Sequence, residues 1–137
     1  MWAFCIYETK TKEIFISRDR YGVKPFYYYL DADQFIFASE IPSILKILDS
    51  KPHANNQVIF DYLVFNRTDQ TESTFFEGIK KLQHGHLLKI QGKNVSISKW
   101  YDLRKKVEQN EGFSDSREYR ELFSSAIGLR LRSDVPV

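Results

Sequence analysis

The sequence predicts an α+β fold in which antiparallel strands precede and outnumber the helices. Two observations carry that prediction in the first half of the chain: short runs rich in Ile, Phe, Tyr and Trp separated by polar turns, and apolar residues at helical spacing after residue 40. A third is the pair of β-rich arms on either side of Gly92-Lys93-Asn94.

Trp2 to Tyr7 and Glu13 to Ser17 are both aromatic and β-branched, and the polar Glu8 to Lys12 between them reads as a hairpin loop. Arg18, Asp19 and Arg20 place charge where a strand should end. Gly22 supplies the backbone freedom for a tight reversal. Pro25 fixes its own φ and pushes Lys24 toward an extended conformation, which suits entry to a strand over Phe26 to Leu30. Asp31-Ala32-Asp33 is the next turn, and Gln34 to Ala38 pairs back. Ser39 then caps a helix beginning near Glu40, with Ile41, Ile44, Leu45 and Leu48 on one face.

Asn55 or Asn56 caps a second helix carrying Val58, Ile59, Tyr62, Leu63 and Phe65. Asn66 to Ser73 is a polar loop, and Thr74-Phe75-Phe76 resumes an ordered stretch. His86 to Gln91 and Val95 to Tyr101 form the arms of a hairpin. Arg104 to Glu111 is charged and reads as a linker. Asp115-Ser116-Arg117-Glu118 is a capping box opening a helix whose stripe of Tyr119, Leu122, Phe123, Ala126 and Ile127 expects a packing partner.

At 137 residues and 42% hydrophobic, the chain has the mass and composition of one ordinary globular domain. Twenty Lys plus Arg against eighteen Asp plus Glu leave a net charge of +2, too small to mark nucleic acid or an anionic membrane as the partner. A single cysteine excludes an internal disulfide framework and a multi-cysteine zinc site. With no cationic-plus-apolar leader and no apolar run of membrane length, the cytoplasm is the default compartment. Both ends, Trp2-Ala3-Phe4 and Asp134-Val135-Pro136-Val137, read as cut rather than as natural polar termini.

Taken together, Arg18-Asp19-Arg20-Tyr21-Gly22-Val23-Lys24-Pro25-Phe26-Tyr27-Tyr28 and Phe35-Ile36-Phe37-Ala38-Ser39-Glu40 resemble the R-D-x-x-G-[IV]-[KR]-P-L-[YF]-Y and F-A-S-E blocks of glutamine-dependent asparagine synthetases. Thr74, Phe76, Gly78, Ile79, Leu82, Gly85, His86 and Leu88 fit that family's T-x-F-x-G-I-x-x-L-P-P-G-H-x-L segment, with Gln83-His84 in place of the proline pair and Trp100-Tyr101 in reversed order. The resemblance covers nearly the whole chain.

It implies part of an N-terminal-nucleophile αββα glutaminase sandwich over residues 1–103, a linker over 104–112 and the first helix of an α/β ATP-pyrophosphatase-type synthetase domain over 113–137. It also implies structural roles for Gly22, Lys24, Pro25, Tyr27, Ala38, Gly85 and His86. Arg18 and Asp19 are expected to form an ion pair bracing the sheet, although the bare residues on their own suit a solvated turn better. Ser39 and Glu40 are expected first at a helix start and second in the wall of an inter-site passage.

No catalytic, cofactor or metal residue is assigned. Glutaminases of this class use an N-terminal cysteine whose own α-amine is the base. Here the sole cysteine, Cys5, lies inside an apolar run and reads as a small buried hydrophobe. Leu131 to Val137 resembles the approach to the family's Ser-Gly-Gly-x-Asp-Ser ATP loop, whose glycines are not in this sequence. His84 and His86 lack the further ligands that a metal site needs.

The resemblance implies a parent that hydrolyses glutamine, channels ammonia and amidates aspartate with ATP and Mg, and it allows a homodimer. The expected partner of this chain is the remainder of that polypeptide. A non-catalytic module reusing the sheet is the rival reading. An RNA-stacking platform of Phe35, Phe37 and Tyr27 to Tyr29 ranks below it for want of a basic stripe. Taken alone, the chain is expected to associate through a bare strand edge at Trp2 to Tyr7 and an uncovered aromatic face over Phe26 to Phe37.

Overall fold

The computed structural model describes residues 1–110 and 112–132; of the proposed ATP-loop approach at 131–137, residues 133–137 lie outside the described residues. A first compact unit comprises Met1–Asp102, and a second begins at Leu103. The first unit is α+β and built on two antiparallel sheets. β1 (Ala3–Glu8), β2 (Glu13–Arg18), β6 (His86–Gln91) and β7 (Asn94–Lys99) form a four-stranded sheet in the order β1-β2-β6-β7. β3 (Tyr27–Leu30), β4 (Phe35–Ala38) and β5 (Ile79–Lys81) form a three-stranded one in the order β4-β3-β5.

Strand alternation decides which residues meet between the sheets. Cys5, Ile16, Leu88 and Ile97 are cross-strand partners on one face, as are Tyr7, Ile14, Ile90 and Val95. Ile16, Leu88 and Ile90 from the larger sheet pack with Phe26, Tyr28 and Leu82 from beside the smaller one, each nearly or wholly buried. Full burial of side chains this size contributes about 1.5–3 kcal/mol each. The other face of the smaller sheet packs Ile36 and Ile79 against Ile44 of α1 (Ile41–Leu45), with Tyr27, Tyr29 and Ala38 around them. The order of layers is therefore helix, three-stranded sheet, four-stranded sheet.

Several expectations change here. Phe26 and Tyr28 are core residues, and Phe35 is half-buried against them. Phe37, on the edge strand β4, is the exposed ring of this group at 45%. The aromatic face over Phe26 to Phe37 is thus largely covered, and it does not form a stacking platform. Ser39 is not the helix cap. The N-cap falls on Glu40, with no side-chain cap bond, and Pro42 at the second helical position offers no N–H of its own. Lys80 and Lys81 hid β5 from a reading based on apolar residues.

α2 (Asn56–Phe65) is capped by Asn55, whose side chain accepts from the Val58 N–H at 3.3 Å, and it ends on Asn66 in the left-handed region at φ 53°. In the second unit the charged stretch read as a linker is helical over α3 (Leu103–Glu108), as its Arg, Lys and Glu content favours. α4 (Ser116–Arg130) is capped by Asp115, which accepts from the Glu118 N–H at 2.8 Å. Its reciprocal partner differs from a full capping box, since Glu118 accepts from Ser114 instead. Tyr119, Leu122, Phe123 and Ile127 are all exposed, so the partner expected for their stripe is not found among the described residues. No described helix is long and apolar enough to cross a membrane.

Candidate functional site

The turn between β2 and β3 concentrates the polar residues that the sequence singles out. Asp19 is 3% exposed, and its carboxylate accepts four backbone N–H groups: Tyr21 and Val23 on Oδ1 at 3.0 and 3.1 Å, Lys24 and Trp2 on Oδ2 at 3.1 and 3.2 Å. Burial works to raise its pKa. The N–H bonds from Lys24, Val23, Tyr21 and Trp2 outweigh burial and hold the carboxyl below its ordinary value of 3.8. Its backbone is engaged as well: the N–H bonds Trp2 O, and the carbonyl receives the N–H groups of Gly22 and Gly85.

Arg18 is equally committed. Its Nε donates to Lys24 O at 2.8 Å, one terminal nitrogen to Leu82 O at 2.6 Å and the other to Gly22 O at 2.7 Å. Burial lowers its pKa, opposed by the charges of Asp19 and Asp69. The expected ion pair between Arg18 and Asp19 is not formed. The fork of Arg18 faces carbonyls and the carboxylate of Asp19 faces N–H groups, so the two side chains hold opposite halves of one loop's backbone. That division satisfies both kinds of orphaned main-chain group, which a direct pair would have left unbonded.

Two glycines make the loop compact. Gly22 stands at φ +65°, where an added Cβ would lie 3.0 Å from the Arg18 guanidinium and 3.2 Å from the His84 Cβ. Gly85, at φ +64°, approaches Tyr101 so closely that a Cβ would meet its carbonyl oxygen at 2.7 Å. The Gly85 carbonyl receives the N–H groups of Trp100 and Tyr101. Trp100 then stacks on Trp2 at 6.0 Å, and Arg20 lies over the Trp100 and Tyr101 rings.

Next to the loop, Lys81 is a buried cation: its side chain is 5% exposed, and its ammonium contacts the Asp69 carboxylate and, at 3.2 Å, the Thr68 carbonyl. That bond from Lys81 is the main reason the Asp69 carboxyl sits below its ordinary range. Cys5 is half-buried on the inner face of the larger sheet, and burial pushes its thiol pKa up, away from the nucleophilic thiolate. His86 Nδ1 is engaged with the His84 carbonyl at 2.8 Å. Among the described residues no three His, Cys, Asp or Glu side chains are grouped to hold a metal ion. A wider cavity of about 470 Å³, lined by Tyr29, Asp31, His53 and Glu77 among others, touches none of the Arg18 loop.

This assembly of backbone-saturating residues is scaffold geometry, and comparison with known proteins says of what. A model of the glutamine amidotransferase domain matches residues 1–101. The chain belongs to that family. It is 34% identical to a putative glutamine-hydrolyzing asparagine synthetase 2 of Methanocaldococcus jannaschii and 30% identical to asparagine synthetase 3 of Bacillus subtilis, each aligned over 100% of this chain. It is also 29% identical to the amidase chry2 of Gibberella zeae over 99% of the chain. The chain spans 27%, 22% and 20% of those relatives' lengths, so it corresponds to a fragment of a larger amidotransferase.

Within this amidotransferase fragment, Arg18, Asp19, Gly22, Lys24 and Gly85 converge on one loop, to which Lys24 contributes its main chain. Pro25 leads into β3, where Tyr27 pairs with Ala38 and Lys81. Ser39 and Glu40 are exposed at the start of α1, apart from that loop. His86 opens β6 opposite Lys99. Sequence reasoning missed Lys81 and Asp69. The one available signal was Ile79-Lys80-Lys81 itself, where alternation about a buried Ile79 sends Lys81 inward.

Proposed function

We propose that this chain is the later part of the glutaminase half of a glutamine-dependent asparagine synthetase, and that it acts there as scaffold. The amidotransferase match over residues 1–101 carries the reading, and relatives named asparagine synthetase that align end to end with the chain supply the acceptor half of it. Two sheets facing each other, with a helix on the outer side of the smaller one, support an N-terminal-nucleophile sandwich as the parent architecture.

In this account the parent releases ammonia from glutamine with a cysteine outside this segment. It passes the ammonia internally and amidates aspartate activated by ATP. The chain's own contribution is positional: Asp19 and Arg18 hold the β2–β3 loop, the loop holds Gly85, and Gly85 seats Trp100-Tyr101 at the end of the larger sheet. ATP with Mg would supply the parent's activating adenylyl group, with pyrophosphate as the leaving group, but the residues here do not fit it. The N-terminus of α4 is occupied by its own Asp115 and Glu118 carboxylates, which oppose a polyphosphate. The first helix of a synthetase domain at α4 and an exposed passage wall at Ser39-Glu40 belong to the same proposal.

The 137-residue chain, incubated with glutamine, should release no ammonia above the uncatalysed rate, whereas the full-length protein should form asparagine from glutamine, aspartate and ATP. Glutamine-dependent ammonia release by the chain that disappears in Cys5→Ser would overturn the scaffold reading.

A further inference from the structure

A second feature borders the Arg18 loop. A cavity of about 110 Å³ is lined by Arg18, Tyr21, Gly22, Asp69, Lys81, Gln83 and His84. That volume is well above the roughly 10–15 Å³ that admits one water. Its walls are rich in donors. Lys81 is fixed in β5 between Tyr27 and the 66–73 loop, with its side chain 5% exposed. The Arg18 guanidinium reaches the same wall, since it lies against Gly22 beside His84. Its three hydrogen bonds to carbonyls use one N–H on each nitrogen, which leaves one more on each terminal nitrogen.

The Gln83 side-chain nitrogen is buried and has no hydrogen-bond partner, which is uncommon for a polar atom removed from water. Gln83 stands where the resembled pattern has the first residue of its proline pair, and it brings a side-chain donor that proline lacks.

We propose that this cavity binds a small oxyanion, a phosphate or a carboxylate, through Lys81, Arg18 and Gln83. Asp69 holds the place of that ligand in the free protein. The Lys81–Asp69 pair is one-sided, with the cation locked in a strand and the carboxylate 78% exposed on a polar loop. An exposed carboxylate can swing into water at small cost, whereas the buried ammonium cannot follow and requires another anion in its place. An entering oxyanion takes over the Lys81 contact and supplies the missing acceptor for Gln83. It also accepts from the guanidinium in the charge-assisted geometry that Arg favours. The inference goes beyond the glutaminase assignment and does not depend on it, because its readout is binding alone.

The test is calorimetric titration of the full-length protein with sodium phosphate, and separately with sodium acetate, at fixed ionic strength. Saturable binding of phosphate identifies a phosphate site, and saturable binding of acetate alone a carboxylate site. Removing the competitor in Asp69→Asn should tighten the bound anion by about fivefold or more, and removing the donor in Gln83→Leu should weaken it about tenfold. Lys81→Met should abolish binding. The Asp69 and Gln83 variants keep the test decisive if Lys81→Met fails to fold, and a merely structural role would not predict a gain in Asp69→Asn. No saturable binding of either anion, or affinities unchanged in both Asp69→Asn and Gln83→Leu, would overturn the proposal.

Discussion

Gly22 and Gly92 each turn the chain between strands, at φ +65° and +59°, and their surroundings differ in almost every other respect. Around Gly22, two buried charged side chains bond the loop's main chain on both sides, and an added Cβ would touch the guanidinium. Around Gly92 nothing lies within 4 Å of where a Cβ would be, and the neighbouring residues of the β6–β7 hairpin are exposed. Turn chemistry specifies that the chain reverses. What the reversal carries depends on which side chains the flanking strands send inward. The β2–β3 loop is braced so that it can seat Gly85 and the Trp100-Tyr101 segment; the β6–β7 turn only closes a hairpin.

The largest expected difference is thermodynamic. Asp19→Ala removes the acceptor of four part-buried N–H groups, and at about 0.5–1.5 kcal/mol net for each lost hydrogen bond, partly replaced by water, the loss should be about 3 kcal/mol in denaturant unfolding. A loss below about 1 kcal/mol would place the loop in the same class as the hairpin turn.

Next in size is Gly85→Ala, which adds about 1–2 kcal/mol of left-handed backbone strain to a clash at 2.7 Å with the Tyr101 carbonyl. Gly92→Ala carries the backbone term alone. The first should therefore exceed the second in chemical denaturation, and equality of the two would remove the argument that Gly85 is a docking point.

A smaller effect separates the two turns in acid. Asp19 titrates below its ordinary value in the folded chain, so its contribution is present above about pH 4 and is lost as pH falls through the lower folded pKa. The stability of Asp19→Asn should consequently fall less steeply than that of the unsubstituted chain as the pH drops below about 4 and through the lowered native pKa of that carboxyl. Substitutions in the Gly92 turn should leave that slope unchanged. Parallel slopes for Asp19→Asn and the unsubstituted chain would mean that the carboxyl is not held in its ionised form by the fold.

The same contrast shows how far the sequence could be read. β1, β2, β3, β4 and the β6–β7 hairpin were legible from aromatic and β-branched runs, and a cap at Asn55 or Asn56 and another at Asp115 were legible because a short polar side chain before a periodic segment has one obvious use; the structure selects Asn55. β5 was not, since two of its three residues are lysines and the burial of one depends on a partner loop distant in sequence. Arg18 and Asp19 were visible as adjacent charges that on their own suit a solvated turn, and the family resemblance turned that reading into an ion pair. Their true partners, Leu82 O and the N–H of Trp2, are brought near only by the fold. Ser39 was read as a cap from its hydroxyl, and the helix starts one residue later, with Glu40 at the N-cap.

The central claim is that the Arg18–Asp19 loop holds the amidotransferase sheet together without touching substrate. Steady-state glutaminase kinetics of Asp19→Ala in the full-length protein, measured beside its melting temperature and well below it, test this directly. The account predicts a melting temperature several degrees lower, with the KM for glutamine within about twofold of the unsubstituted value. A KM raised tenfold or more with unchanged melting would contradict it and place Asp19 in the glutamine site.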